Sequence, residues 1–228
     1  MSDDIRTVRT FEDALLRGRD VETGYGDLQV LFGVDVDVRD DEIVLVFGPN
    51  GAGKSTLLRA LCKLLSLWEG RVTVDDRDVS DREPEEMIDQ GVCYVPQAAN
   101  VFPNLTVDET LEFLELDHLA DEYARGLSGG QRKLLELGRV LMLDPELIML
   151  DEPVAGVNPA LTDDLLDRLH ALNDEGRTLL LIEHDMDVVM THCDHVVVVA
   201  DGRELAAGPP EAVRTDERVV EAYLGGER

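Results

Sequence analysis

Residues 48–56 read GPNGAGKST, directly after the apolar β-formers Ile43 to Phe47 and directly before LLRAL. This stretch constrains the fold most tightly. It satisfies GxxxxGK[ST] at every fixed position, and that motif needs a strand, a glycine-rich turn and a helix in that order. The glycines let backbone N–H groups approach phosphate oxygens closely. The helix that follows presents its positive end to the same oxygens. On this reading Gly48, Pro49, Asn50, Gly51, Ala52, Gly53, Lys54, Ser55 and Thr56 cradle a nucleoside triphosphate. Lys54 reaches the β- and γ-phosphates, and Ser55 ligates Mg²⁺. The alternative is a glycine-rich turn without a ligand. The flanking strand and helix speak against it, as does the lysine itself, since lysine occurs only at 54, 63 and 133.

Strand-like runs alternate with helix-like segments along the chain. Ile43–Phe47 reads as a buried strand and Ser55–Leu65 as a helix with leucines on one face. Arg71–Val74, Gly91–Val95, Leu147–Leu150, Thr178–Ile182 and His195–Ala200 are further β-rich runs. Continuous apolar runs of this kind suit a parallel sheet buried on both faces, and the alternation predicts an α/β fold. From Thr106 to Leu143 the pattern turns helical. Thr106 with Glu109 has the spacing of a capping box, followed by Val107, Leu111 and Leu114 on one face. Ser128 is a candidate N-cap for a second helix carrying Leu134, Leu137 and Leu141.

Two further motifs extend the site. LIMLDE, residues 147–152, ends a buried strand in carboxylates, at the sheet edge where open α/β folds bind ligands. Alone it is a strand meeting a polar turn. After a phosphate loop, Asp151 is placed to hold Mg²⁺ through its water shell and Glu152 to polarise an attacking water. LSGGQ, residues 127–131, sets glycines beside an N-capping serine, so Ser128, Gly129, Gly130 and Gln131 open a helix whose N–H groups suit phosphate oxygens.

With these three motifs in order, the chain resembles ABC-type ATPase subunits over essentially its whole length. That resemblance implies a P-loop NTPase (RecA-like) α/β core, an N-terminal antiparallel β subdomain and an inserted helical subdomain. It implies one domain over 1–228, with 98–143 as the helical signature part and 1–97 and 144–228 as the core. It implies that Gln97 in CYVPQ contacts Mg²⁺ and the γ-phosphate side, that His184 in LLLIEHD contacts the γ-phosphate, and that Tyr25 stacks on adenine. The turn at 154–159 matches the D-loop, with Asn158 where many cassettes carry aspartate. In this family two cassettes pack head to tail, each ATP lying between the phosphate loop of one and the LSGGQ of the other. The cofactors implied are ATP and Mg²⁺. Arg132 and Lys133 stand where they could add positive charge to that interface or simply face solvent.

EHDM, AGVNP and the VVEAYLG ending look like the ATP-binding subunits of branched-chain amino acid importers, with amide and urea relatives. The ending also resembles the lipopolysaccharide-export cassette. The stretch between Gln97 and LSGGQ is shorter than usual, which alters the subdomain that meets the membrane partner. The partners implied are a second cassette, identical or related, polytopic membrane permease subunits and an extracellular solute-binding protein. A soluble ABC ATPase that drives assembly, for example of iron–sulfur clusters, is the alternative from a different class.

Charge narrows the partners. Forty-nine acidic residues oppose 21 basic ones, a formal net charge of −28. A surface like this repels itself in dilute buffer and stays soluble where salt screens it, so a high-salt cytoplasm is expected. A nucleic-acid partner held on a basic patch is disfavoured. No apolar run reaches the roughly 20 residues that span a bilayer, and the first residues lack an apolar export core. An intracellular protein attached to the membrane's cytoplasmic face only through partners is the expectation. Cys62, Cys93 and Cys193 have no metal or redox spacing and read as small buried hydrophobes.

Overall fold

The computed structural model describes residues 14–96, 123, 126–141, 143–155, 157, 159–183 and 191–224. Gln97, His184, the Thr106–Glu109 capping box with its helix, and Gly156 and Asn158 of the D-loop lie outside the described residues.

The described strands are β1 (Ala14–Tyr25), β2 (Leu28–Arg39), β3 (Ile43–Phe47), β4 (Glu69–Val74), β5 (Arg77–Asp78), β6 (Val92–Val95), β7 (Leu147–Asp151), β8 (Thr178–Ile182), β9 (His195–Ala200) and β10 (Arg203–Gly208). The helices are α1 (Lys54–Leu61), α2 (Pro84–Ile88), α3 (Gly129–Leu141), α4 (Pro159–Asp174), α5 (Pro210–Arg214) and α6 (Glu217–Leu224). One sheet is antiparallel, in the order β2-β1-β4-β5; the other runs β10-β9-β3-β8-β7-β6. In the second sheet β9, β3, β8, β7 and β6 are parallel, while β10 returns antiparallel along β9.

The apolar runs behave as two-faced strands because side chains alternate across a sheet. On β3, Val44 and Val46 join one core with α1 and the antiparallel sheet, while Ile43, Leu45 and Phe47 join a second core with α3 and α4. β7 divides the same way: Leu147 and Met149 face the first core, Ile148 and Leu150 the second. Helix α1 is thus held between the two sheets by Leu57, Leu58 and Leu61. This arrangement fixes the helix that follows the glycine-rich turn at 48–53 on both sides.

The predicted parallel strands are present, with Ile43–Phe47 and Thr178–Ile182 at their expected bounds. The first helix is shorter than Ser55–Leu65. It closes at Leu61, where Lys63 takes a positive φ of 64° and the Leu65 N–H turns back to the Arg59 carbonyl at 3.0 Å. The expected antiparallel sheet is built from β1, β2, β4 and β5, with β1 and β2 its longest strands. Their alternation is obscured in sequence by a bulge around Asp20, which has φ 47° and breaks the register between Gly18 and Val21.

All three lysines are drawn inward. Lys54 and Lys63 are buried and Lys133 is half-buried. Cys62 and Cys93 are buried and none of the three cysteines is bridged. Burial pushes the Cys62 thiol up to about 11, as expected for an unreactive packing residue. No helix among the described residues is long and apolar enough to cross a membrane.

Candidate nucleotide site

The site forms where β3, β8 and β7 end side by side. The chain leaves β3 at Gly48, and an added Cβ there would lie 2.1 Å from the Val199 carbonyl oxygen. Gly51 and Gly53 have φ of 80° and 103°, and Gly53 N-caps α1. The Gly51 position is open, with nothing within 4 Å of an added Cβ, whereas Gly53 is pressed against Leu31 at 2.7 Å. The glycines therefore serve close packing at 48 and 53 and left-handed backbone at 51 and 53. The turn is braced from outside the motif, since the Gly202 N–H donates to the Ala52 carbonyl at 3.0 Å.

Lys54 is 6% exposed and donates from Nζ to the carbonyls of Gly48 (2.8 Å) and Pro49 (3.1 Å). Desolvation holds its pKa below the usual lysine value, opposed by the nearby carboxylates of Glu152, Asp151 and Glu183. A buried cation in the first turn of a helix complements a polyphosphate.

Asp151 is 1% exposed at the end of β7. Ser55 Oγ donates to its Oδ1 at 3.0 Å and Tyr94 OH to its Oδ2 at 3.1 Å. A hydroxyl and a carboxylate in contact are hard oxygen donors, the kind Mg²⁺ takes. Glu152 follows with φ 50°, a left-handed conformation that non-glycine residues rarely adopt, and its N–H is anchored to the Ile182 carbonyl at 3.0 Å. Such strain persists where surrounding structure over-determines it, and it concentrates at functional sites.

Tyr25 ends β1 with its ring 45% exposed. Its hydroxyl lies 3.5 Å from Thr56 Oγ1 and accepts from Arg59 at 3.2 Å, so the ring stands beside the first turn of α1.

The serine of LSGGQ caps its helix as expected. The Gln131 N–H donates to Ser128 Oγ at 3.2 Å, and the Ser128 N–H donates to Gln131 Oε1 at 2.9 Å. This reciprocal pair is a capping box, S-x-x-Q, and it gives Gln131 a structural role that the sequence reading did not draw. Ser128→Ala is expected to cost about 1 kcal/mol. For a chain of this size that lowers Tm by roughly 2–4 °C in thermal unfolding; an unchanged Tm would contradict the cap.

Lys133 does not simply face solvent, one of the two positions left open for it. It turns inward, reaching the Pro96 carbonyl at 3.5 Å, and desolvation holds its pKa below the usual lysine value, opposed by the carboxylates of Glu136, Asp151, Glu183 and Glu152. Glu183 was also missed. It is 1% exposed, and its Oε1 accepts the Val154 N–H at 3.0 Å, tying the end of β8 to the turn after Glu152. The available signal was a charged residue ending the apolar run LLLI, the same pattern that drew attention to Asp151.

Known proteins resemble the chain. The family model described as "ABC transporter" matches residues 31–155, and that described as "Branched-chain amino acid ATP-binding cassette transporter" matches residues 203–228. The chain is 34% identical to a probable branched-chain amino acid transport ATP-binding protein, LivG, of Methanocaldococcus jannaschii, over 92% of this chain and 97% of that protein. It is 31% identical to the lipopolysaccharide export system ATP-binding protein LptB of Haemophilus influenzae, over 93% of this chain and 98% of that one. A solved structure of a nucleotide-free ATP-binding cassette from an ABC transporter superposes with a TM-score of 0.86 at 33% identity, over 92% and 98% of the two chains.

Proposed function

This chain belongs to the ABC transporter family as an ATP-hydrolysing cassette, and we propose that it energises an importer of branched-chain amino acids or related small polar solutes such as amides and urea. The substrate reading is carried by the match of residues 203–228, which include β10, α5 and α6, to the branched-chain cassette model. LivG relatives at 33–34% identity support it.

Cassettes of this family work as dimers with membrane permease subunits. We place the protein on the cytoplasmic face of the membrane, held by those subunits, with a solute-binding protein outside. The second cassette is a related chain or an identical copy.

In this account Tyr25 stacks on adenine, and residues 48–56 wrap the phosphates. Lys54 exchanges its loop carbonyls for phosphate oxygens. Ser55, Asp151 and Gln97 would hold Mg²⁺, which would supply charge neutralisation at the phosphates. Glu152 accepts the proton of the attacking water, and His184 positions the γ-phosphate. Ser128, Gly129, Gly130 and Gln131 meet the ATP of the partner cassette. ATP binding closes the pair, and hydrolysis reopens it.

The substrate is tested by reconstituting the cassette with its permeases and measuring ATP turnover against a solute panel. Stimulation by leucine, isoleucine, valine, an amide or urea is expected. Stimulation only by lipopolysaccharide-like glycolipids would favour the export reading that the 30–31% identical LptB relatives raise.

The excess of carboxylates belongs to a protein kept in high salt. Raising KCl from 0.1 to 1 M shortens the Debye length from about 10 to about 3 Å. Tm should then rise by more than roughly 5 °C, equivalent to about 2 kcal/mol at this size. A flat or falling Tm would count against a high-salt origin.

A further inference from the structure

Asp151 is held by more than the motif serine. On β6, Tyr94 pairs with Met149 of β7, so its side chain shares a sheet face with Asp151, two residues further on. That face packs against α1, which carries Ser55 in its first turn. The result is a line of three side chains, Ser55, Asp151 and Tyr94. Ser55 Oγ donates to Asp151 Oδ1 at 3.0 Å, and Tyr94 OH donates to Asp151 Oδ2 at 3.1 Å. The carboxylate therefore has one oxygen fixed by Tyr94 and the other turned to Ser55.

We propose that Tyr94 is a positioning residue for Asp151, fixing Oδ2 so that Oδ1 and Ser55 face the metal of the bound nucleotide. This rests on reading Asp151 as a Mg²⁺-holding carboxylate. No other assigned role uses Tyr94.

The test measures the affinity of the full chain for a fluorescent ATP analogue in excess Mg²⁺ and again in EDTA. In Tyr94→Phe, which removes only the hydroxyl, the ratio of the two affinities should fall about tenfold, the lower end for losing a group that orients a metal ligand. Affinity in EDTA should stay within about twofold of wild type, because the phosphate loop itself is untouched. A merely structural tyrosine would weaken both affinities together or neither. An unchanged ratio in Tyr94→Phe overturns the proposal. Asp151→Asn separates the two levels. If it leaves the ratio unchanged, the metal reading of Asp151 fails and the proposal falls with it. If it abolishes the ratio while Tyr94→Phe does not change it, only the positioning claim fails.

Discussion

Glu152→Gln is expected to slow ATP hydrolysis by about 10²- to 10⁴-fold, or roughly 3–5 kcal/mol of barrier, while leaving ATP binding intact. Glutamine keeps the size of the side chain and loses the proton acceptor. Binding survives because the phosphate contacts come from the loop at 48–56, not from Glu152. The fold survives because the strained backbone, φ 50°, is fixed from outside by the Glu152 N–H to Ile182 carbonyl bond and by the Glu183 carboxylate on the Val154 N–H. Steady-state phosphate release and equilibrium nucleotide binding separate the two effects. Turnover within a few-fold of wild type would remove Glu152 from the role. A matching loss of binding would make it a structural residue.

Lys54→Ala is expected to weaken ATP binding itself. A hydrogen bond to a charged group contributes about 1.5–3 kcal/mol, which corresponds to roughly 10- to 150-fold in affinity. The nearby carboxylates of Asp151, Glu152 and Glu183 enlarge the loss, since Lys54 offsets their repulsion of the incoming phosphates. The lysine also donates to the carbonyls of Gly48 and Pro49, so removing it frees two acceptors as well as a charge. Calorimetric titration with ATP measures the change. An unchanged affinity would contradict the phosphate assignment.

Local motifs carried most of the architecture. β3, the phosphate loop and α1 are one continuous segment whose spacing states its geometry. The buried strands of the second sheet announce themselves because both faces are covered, and every residue of Leu147–Asp151 and Thr178–Ile182 is buried. What the sequence obscured is what depends on distant partners. β1 and β2 are long but interrupted by a bulge, and a polar residue of β1, Thr23, is buried with its hydroxyl on the Ser66 carbonyl. Tyr94 becomes meaningful only when β6 is laid beside β7. Lys133 follows LSGGQ and so suggests an outward role, but the packing of α3 on the second core turns it toward Pro96 and the acids behind it. Gln131 is the instructive exception. The S-x-x-Q spacing was visible at 128–131, yet the glycines drew the reading toward phosphate and away from the cap.

The central claim is that this cassette drives a membrane transporter. Its most direct test is to isolate the tagged protein from native membranes, in buffer matching the salt of its host, and to identify what is recovered with it. Two polytopic subunits and a second cassette are the predicted result, with an extracellular solute-binding protein fixing the direction as inward. Recovery with soluble assembly factors alone, and absence from the membrane fraction, would contradict the claim.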